Sequence, residues 1–300
     1  MNRVEQHPVQ AFAAALAAVA TLSVMDAVMK GLVIAIGIFA VSVWRSLVNL
    51  FVTGSLYLPR RLPWPSPATL RIHVVRSVVV ALMAFLFFWG IGRVPLAQGI
   101  ALTFIAPLIA LLLAASFLGE EVGARSIGGS VIAFAGVLVI VLGQARADFG
   151  PEVLWGTGAI LASAVCYAVN IVLMRTQALA AKPLEINFFQ SLIIAIIWLA
   201  AIPFMGMPRL PGDQIGWIVV AGLMSTTGGL LFAWAYARAE ASYLAVTEYS
   251  AFLWAAALGW VVFREPVSFY TIAGAGLIVG GCLLAARAKA KVPGEVEVAT

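Results

Sequence analysis

The sequence predicts an all-α integral membrane protein whose ten transmembrane helices form two inverted five-helix repeats. Hydrophobic residues make up 63% of the 300 residues and charged residues only 10%. The surface of a soluble domain needs roughly 25% charged residues, so most of this chain must face hydrocarbon. Ten apolar runs each approach the roughly 20 residues that a helix needs to cross a bilayer. The chain also repeats itself at an offset of 145 residues.

The repeat is clearest in residues 89–142, which align with residues 234–287. Twelve of the 54 aligned positions are identical. The identities include uncommon residue types: Trp89 with Trp234, Arg93 with Arg238, and Glu120 with Glu265. The same offset relates segments further upstream, so the repeat covers nearly the whole chain and decides the fold.

Pro-rich and polar breaks divide the chain into its predicted spans. The spans are 10–30, 34–57, 72–91, 95–118, 125–144, 153–175, 185–204, 213–236, 240–263 and 268–287. The first is interpreted as a retained span rather than a cleaved signal peptide, because the repeat uses it. The two repeats are therefore 10–144 and 153–287, followed by a tail at 288–300.

The distribution of basic residues predicts the orientation. With the N-terminus inside, twelve Lys and Arg residues fall in inner segments and five in outer ones. This excess places both termini, and the tail, in the cytoplasm. Five spans is an odd number, so the second repeat enters the membrane from the opposite side. Many transporters are built from such inverted repeats, whose symmetry supplies two states open to alternate sides.

Other function classes find little support in the sequence. It contains no GxxxxGK[ST] and no GxSxG, and its histidines, His7 and His73, lie outside the core of any span. No cofactor and no metal site are therefore predicted. Cys166 and Cys282 lie in apolar runs, and the basic residues are not clustered for nucleic acid. The predicted partners are a small-molecule substrate and the lipid bilayer. An embedded enzyme or a membrane scaffold is the alternative, against which the inverted repeat argues.

Short motifs near the end of each repeat carry a family resemblance. The first repeat contains Pro95-Leu-Ala-Gln, Leu118-Gly-Glu-Glu, Ile127-Gly-Gly and Gly136-Val-Leu, and the second contains Ala241-Ser-Tyr-Leu, Phe263-Arg-Glu-Pro, Ile272-Ala-Gly-Ala-Gly and Gly280-Gly. On these motifs the chain resembles the drug/metabolite transporter superfamily, specifically the ten-helix exporters with two EamA-type repeats. Within that superfamily it is similar to bacterial aromatic amino-acid exporters.

The resemblance implies a bacterial inner-membrane exporter of small amphipathic metabolites. Amino acids, including aromatic ones, are the expected substrates, and drugs, polyamines or lipid-linked metabolites are the alternative. Spans 1, 3, 4, 6, 8 and 9 would line a central cavity, with spans 5 and 10 at the periphery. The oligomeric state stays open between a monomer and a homodimer.

Two carboxylates inside spans are candidates for substrate binding or proton coupling, because buried charges usually face a cavity or a partner. Asp26 would bind a substrate ammonium or a proton, or else form a structural pair with Lys30. Glu248 has Tyr249 beside it and Thr103 at the equivalent position of the first repeat. Its structural alternative is an internal ion pair with Arg45.

Polar and aromatic residues supply further candidates. Asn170, with Tyr167 on the same helix face, would hydrogen-bond a substrate carboxylate or join two helices. Trp89 and Trp234 are either interfacial anchors or an aromatic wall for the substrate. The companions of such a wall would be Phe85, Gln98, Tyr243 and Trp254.

Two further features are interpreted as structural. Glu120 and Glu265 would cap the next helix or pair with Arg125 and Arg264. Small residues in spans 5 and 10 would allow close helix packing within the monomer, in preference to a dimer contact. They are Gly128, Gly129 and Gly136 in span 5, and Gly274, Gly276 and Gly280 in span 10, where Gly276 and Gly280 form a small-xxx-small pair.

Overall fold

The computed structural model describes residues 8–60, 64–106, 108–109, 124–146, 150–236 and 247–286. Within these ranges the chain forms ten α-helices, one in each predicted span. They are α1 (Pro8–Ile36), α2 (Ile38–Tyr57), α3 (Pro67–Ile91), α4 (Leu96–Thr103), α5 (Ala124–Arg146), α6 (Pro151–Ala180), α7 (Pro183–Met205), α8 (Ile215–Tyr236), α9 (Ala251–Phe263) and α10 (Phe269–Ala286). Short 3-10 turns follow α2 and precede α8.

Length and composition identify the membrane-crossing helices. In the described residues, six are long and apolar enough to cross a bilayer, and they correspond to α1, α2, α3, α6, α7 and α8. Three shorter apolar helices lie at 127–143, 251–263 and 269–284. The protein is therefore a multi-pass, all-helical membrane protein, as the composition predicts.

Local sequence sets several helix boundaries. Gly37, at φ 83°, is the single residue between α1 and α2, and its missing Cβ permits this sharp reversal. Ser66 caps α3 by accepting a hydrogen bond from the Thr69 N–H at 3.2 Å, with Pro67 in the first turn. Arg264 ends α9 in the left-handed conformation, and Pro266 follows it.

The helix pairing obeys a pseudo-twofold symmetry that exchanges the two repeats. The principal pairs are α1 with α8 and α3 with α6, which are equivalent under the exchange. The contacts of α2 with α7, α4 with α9, and α5 with α10 each join a helix to its own counterpart. Because each repeat has five helices, the counterparts run in opposite directions through the membrane. The architecture is thus the inverted repeat that the sequence predicts.

Close packing of α5 on α10 depends on two equivalent pairs of glycines. A Cβ on Gly136 would lie 2.6 Å from the Gly274 carbonyl oxygen, and a Cβ on Gly281 would lie 2.4 Å from the Gly129 oxygen. Backbone therefore touches backbone at both crossings. The predicted packing role holds for Gly129, Gly136 and Gly274.

The prediction is wrong for three other glycines of these helices. A Cβ on Gly128, Gly276 or Gly280 would meet nothing within 4 Å. Gly276 and Gly280 lie on the outward face of α10 because the helix is rotated to place Gly274 and Gly281 against α5. The small-xxx-small pair is therefore not the intramolecular contact.

Candidate functional site

An acidic and a basic side chain lie near one another inside the first repeat. Asp26 of α1 and Arg45 of α2 are both half-buried, and the charge of Arg45 acts on the Asp26 carboxylate. No hydrogen bond or direct ion pair joins them in the part of the chain that the structure describes. The Arg45 guanidinium lies over the Phe88 ring of α3, 5.3 Å from its centroid. Three helices thus hold two opposite charges near one another without contact.

Two polar atoms at this location, one of them in the pair itself, are buried and have no hydrogen-bond partner among the described residues. They are Nε of Arg45 and Oδ1 of Asn49, which lies one turn further along α2. Helix α8 approaches α2 here, since a Cβ on Gly222 would lie 3.1 Å from the Asn49 oxygen. A buried donor without a partner costs about 1–3 kcal/mol, so this location can gain from a polar ligand.

Lys30, the structural partner predicted for Asp26, pairs with a different residue. Lys30 does not pair with Asp26: it donates to Glu265 and, at 2.6 Å, to the Val94 carbonyl oxygen. The acidic residue whose charge acts on Arg45 is Asp26. The pairing of Lys30 with Glu265 could not be predicted from the sequence, because the two residues are 235 positions apart.

The second intramembrane carboxylate lies near a tyrosine of its own repeat. Glu248, just before α9, acts electrostatically on the hydroxyl of Tyr167 in α6. Its neighbour Tyr249 packs edge-on against Phe104, with ring centroids 5.3 Å apart. Phe104 and Tyr249 are equivalent in the two repeats, so their contact marks the pseudo-twofold axis. Thr103 donates to the Ile100 carbonyl oxygen of its own helix at 2.7 Å.

A buried ion pair ties the two repeats together at one end of the bundle. We call this the Gly37 end, because α1 ends and α2 begins there. Lys30, only 3% exposed, bonds Glu265 in the loop between α9 and α10. The other carboxylate oxygen of Glu265 accepts from the Leu96 N–H at 2.8 Å and so caps α4. Glu265 therefore pairs with Lys30 rather than Arg264, and caps α4 rather than the next helix.

A cleft next to Glu265 contains one of the predicted wall residues. The residues that line it include Pro95, Gln98, Gly259, Glu265 and Thr271. Gln98 is buried, and its Nε2 has no hydrogen-bond partner among the described residues. Tyr243, Glu120 and the side chain of Arg125 lie outside the described residues.

The predicted tryptophans occupy two different settings. Trp89, at the end of α3, lies under the Arg93 guanidinium, 3.6 Å from the ring centroid, and Arg93 donates to Glu152 at 2.8 Å. Because Glu152 is 73% exposed, this cluster belongs to the rim of the Gly37 end. Trp234 and Trp254 are both exposed on the helix bundle. These placements suit interfacial or lipid contact better than a substrate wall.

Phe85 belongs to an aromatic cluster that sequence reasoning missed. Its ring centroid lies 5.5 Å from that of Trp198 in α7, which in turn contacts Phe39 of α2. The cluster joins three helices. No pattern within α7 distinguishes Trp198 from a lipid-facing tryptophan.

A buried polar network occupies the opposite end of the bundle. Arg76 of α3 donates to Oδ1 of Asn170 at 2.9 Å and to Oε1 of Gln177, both in α6. Gln177 also bonds the His73 ring, which stacks on Phe189 and lies 3.3 Å from Glu185. The Asn170 oxygen is thus engaged in joining helices. Sequence reasoning missed Gln177 and placed His73 outside the span cores, whereas it is fully buried in α3.

The described residues contain no group of three or more His, Cys, Asp or Glu side chains arranged to hold a metal ion. Two polar locations remain as places for a substrate: the Asp26–Arg45 pair and the Glu248–Tyr167 pair. From the helical rise of 1.5 Å per residue, Asp26 lies roughly 15 Å from the Gly37 end of its helix, and Tyr167 roughly 24 Å from the same end. The two locations are successive levels along the bundle axis.

An inverted-repeat helical bundle with charged groups at mid-depth defines the class of membrane transporters. The sequence profile of the EamA-like transporter family matches residues 10–142 and 154–287. The chain belongs to this family, whose members are transporters rather than enzymes.

Characterised relatives transport different small molecules. The pseudopaline exporter CntI of Pseudomonas aeruginosa strain UCBPP-PA14 is 29% identical over 219 residues, which cover 72% of this chain and 75% of that protein. A riboflavin transporter of Rhizobium johnstonii is 25% identical over 215 residues, 72% of this chain and 70% of that protein. An S-adenosylmethionine uptake transporter of Rickettsia bellii is 22% identical over 213 residues, 71% of each chain.

A solved crystal structure shares the fold. It superposes with a TM-score of 0.58 at 21% sequence identity, covering 93% of this chain and 96% of the other. The likeness extends over both repeats.

Proposed function

We propose that this protein exports small amphipathic metabolites, in particular amino acids that include aromatic ones, across the bacterial inner membrane by alternating access. Both termini would lie in the cytoplasm, as the distribution of basic residues predicts. Membership of a transporter family and relatives that carry small metabolites support the transport of a small molecule. The observation that carries the proposal is that Asp26 and Arg45 lie in neighbouring helices of an apolar bundle, where the buried Nε of Arg45 has no hydrogen-bond partner among the described residues.

The fold supports the alternating-access part of the proposal. Inverted repeats provide two related arrangements, each open to one side of the membrane. The Lys30–Glu265 contact links α1 of the first repeat to the α9–α10 loop of the second. Such a cross-repeat contact is well placed to close the Gly37 end while the opposite end admits substrate.

The charges inside the bundle bear on the substrate. A neutral apolar compound would leave both Asp26 and Arg45 without a ligand group. A drug cation or a polyamine would match Asp26 or Glu248 but would be repelled by Arg45. A zwitterion with an apolar side chain matches the opposite charges and the apolar interior of the bundle together.

Purified protein in liposomes provides the test. We expect saturable flux of labelled phenylalanine, measured with and without an imposed pH gradient. Flux whose rate does not depend on the pH gradient would indicate a uniporter, with Glu248 in a binding or structural role. Flux that follows the gradient would favour Glu248 and Asp26 as coupling sites over a binding or structural role. Absence of flux under both conditions would contradict the amino-acid proposal and direct attention to drug, polyamine or lipid-linked substrates.

A further inference from the structure

We propose that Asp26 and Arg45 form a subsite for the backbone of an amino acid, in which Asp26 binds the α-ammonium and Arg45 binds the α-carboxylate. This inference deepens the proposed function and rests on it. It assigns the recognition of the zwitterionic part of the substrate to the first repeat alone. The side chain of the substrate is not part of the assignment.

The pair offers a ligand a buried hydrogen-bond donor that is unsatisfied among the described residues. The two charged groups act on each other without a direct contact in the described part of the chain. Nε of Arg45 is buried and has no hydrogen-bond partner there. A carboxylate placed between the two would accept two parallel hydrogen bonds from the guanidinium, whose planar fork matches its geometry. An ammonium one carbon away would then face Asp26.

Other residues prepare the subsite. The Phe88 ring supports the guanidinium face at 5.3 Å, which leaves the hydrogen-bonding edge of Arg45 for a ligand. The unpartnered Oδ1 of Asn49 lies one helical turn from Arg45 and can accept a further N–H of the ammonium. Gly222 allows α8 to pack close to this buried oxygen.

A purely structural ion pair has a different form in the same molecule. Lys30 and Glu265 are in direct contact, and both are also bonded to backbone groups. Charges kept in a span for stability gain most when they touch and satisfy their remaining hydrogen bonds. Within the described part of the chain, Asp26 and Arg45 do not touch, and Nε of Arg45 has no hydrogen-bond partner.

Repeat symmetry shows that the fold does not require these charges. At the offset of 145 residues, Asp26 corresponds to Ile171 and Arg45 to Gln190. The neighbouring Asn170 is engaged by Arg76. The second repeat thus forms the same five-helix unit with neutral side chains at both positions. The charge pair is specific to one half, as expected for a group that recognises an asymmetric ligand.

The experiment compares the charge preference of transport in liposomes. Labelled phenylalanine flux is competed with unlabelled phenylalanine, with phenethylamine, which lacks the carboxylate, and with 3-phenylpropionate, which lacks the ammonium. For the wild type, phenylalanine should compete at least about tenfold better than either analogue, since each analogue lacks one charge-assisted hydrogen bond. The variants are Arg45→Gln and Asp26→Asn, with Gln190→Ala as the symmetry-matched control.

The expected result is a change of preference that follows the removed charge. Arg45→Gln should weaken competition by phenylalanine about tenfold or more. Phenethylamine should then compete nearly as well as phenylalanine, because the lost arginine bound only the carboxylate. Asp26→Asn should likewise weaken competition by phenylalanine, so that 3-phenylpropionate competes nearly as well as phenylalanine. Gln190→Ala should leave the order of the three competitors as in the wild type. For variants with low flux, the same comparison is made by ligand-induced shifts of the melting temperature in detergent, which also reports whether the variant folds.

Two results would overturn the subsite in different ways. If wild-type phenylalanine flux is normal but both charge variants keep the wild-type order of competitors, the subsite is wrong while the proposed function stands. If the wild type neither transports nor binds phenylalanine, the proposed function fails and the subsite fails with it.

Discussion

Replacing Glu265 with alanine is expected to lower the free energy of unfolding by about 3–5 kcal/mol, the usual range for removing one partner of a buried ion pair. Lys30 is 3% exposed and, among the described residues, would keep the Val94 carbonyl oxygen and the Phe263 ring as its partners. The Leu96 N–H would also lose the carboxylate that caps α4. The measurement is denaturant unfolding of the purified protein in mixed micelles.

The same protein offers a matched control. Glu152 also forms an ion pair with an arginine, but it is 73% exposed, so Glu152→Ala should cost about 0–1 kcal/mol. Glu265→Gln keeps an oxygen for the Leu96 N–H and should lie between the two. The double variant Lys30→Met with Glu265→Gln should be more stable than Lys30→Met alone, because no buried charge is left unpaired. Equal losses for Glu265→Ala and Glu152→Ala would contradict the buried network.

Adding one methyl group at Gly281 is expected to destabilise the α5–α10 contact. The new Cβ would lie 2.4 Å from the Gly129 carbonyl oxygen and 2.8 Å from the Ala133 nitrogen. Both neighbours are backbone atoms, so the helices must move apart. Overpacking of this kind costs about 1–3 kcal/mol, and Gly281→Val should cost more than Gly281→Ala. Thermal unfolding in detergent measures both.

At the adjacent Gly280, adding a methyl group is not expected to destabilise the protein. Its Cβ would meet nothing within 4 Å, so Gly280→Ala should leave stability unchanged or raise it by up to about 1 kcal/mol through helix propensity. Gly281→Ala as stable as Gly280→Ala would show that α5 and α10 do not meet at these glycines. A lower stability for Gly280→Ala than for Gly281→Ala would show that the packed face of α10 is the Gly276–Gly280 face.

Hydropathy and the internal repeat were enough to predict the fold. Each described helix overlaps its predicted span, although α1 continues to Ile36, beyond the predicted end at residue 30. The inverted arrangement follows from an odd number of spans per repeat. The rotation of each helix about its axis was not predictable, because apolar residues surround most of these helices on all sides. This is why Gly276 and Gly280 were assigned to a contact that Gly274 and Gly281 make.

The candidate site was predicted only in part, for a related reason. A carboxylate within a span marked Asp26 and Glu248 as residues of interest, but their surroundings come from distant segments. Arg45 stood out as a basic residue in a span, yet the acidic residue whose charge acts on it is Asp26. Lys30 and Glu265 meet across 235 residues of sequence. Only the folded arrangement of helices decides which of these charges touch.

Counterflow is the most direct measurement of alternating access. Liposomes containing the protein are loaded with excess unlabelled phenylalanine, and labelled phenylalanine is added outside at low concentration. An alternating-access transporter should accumulate the label transiently above its equilibrium level, because each outward-moving substrate returns the site to the outside. Entry of the label that is neither saturable nor accelerated by internal phenylalanine would contradict alternating access and indicate a pore.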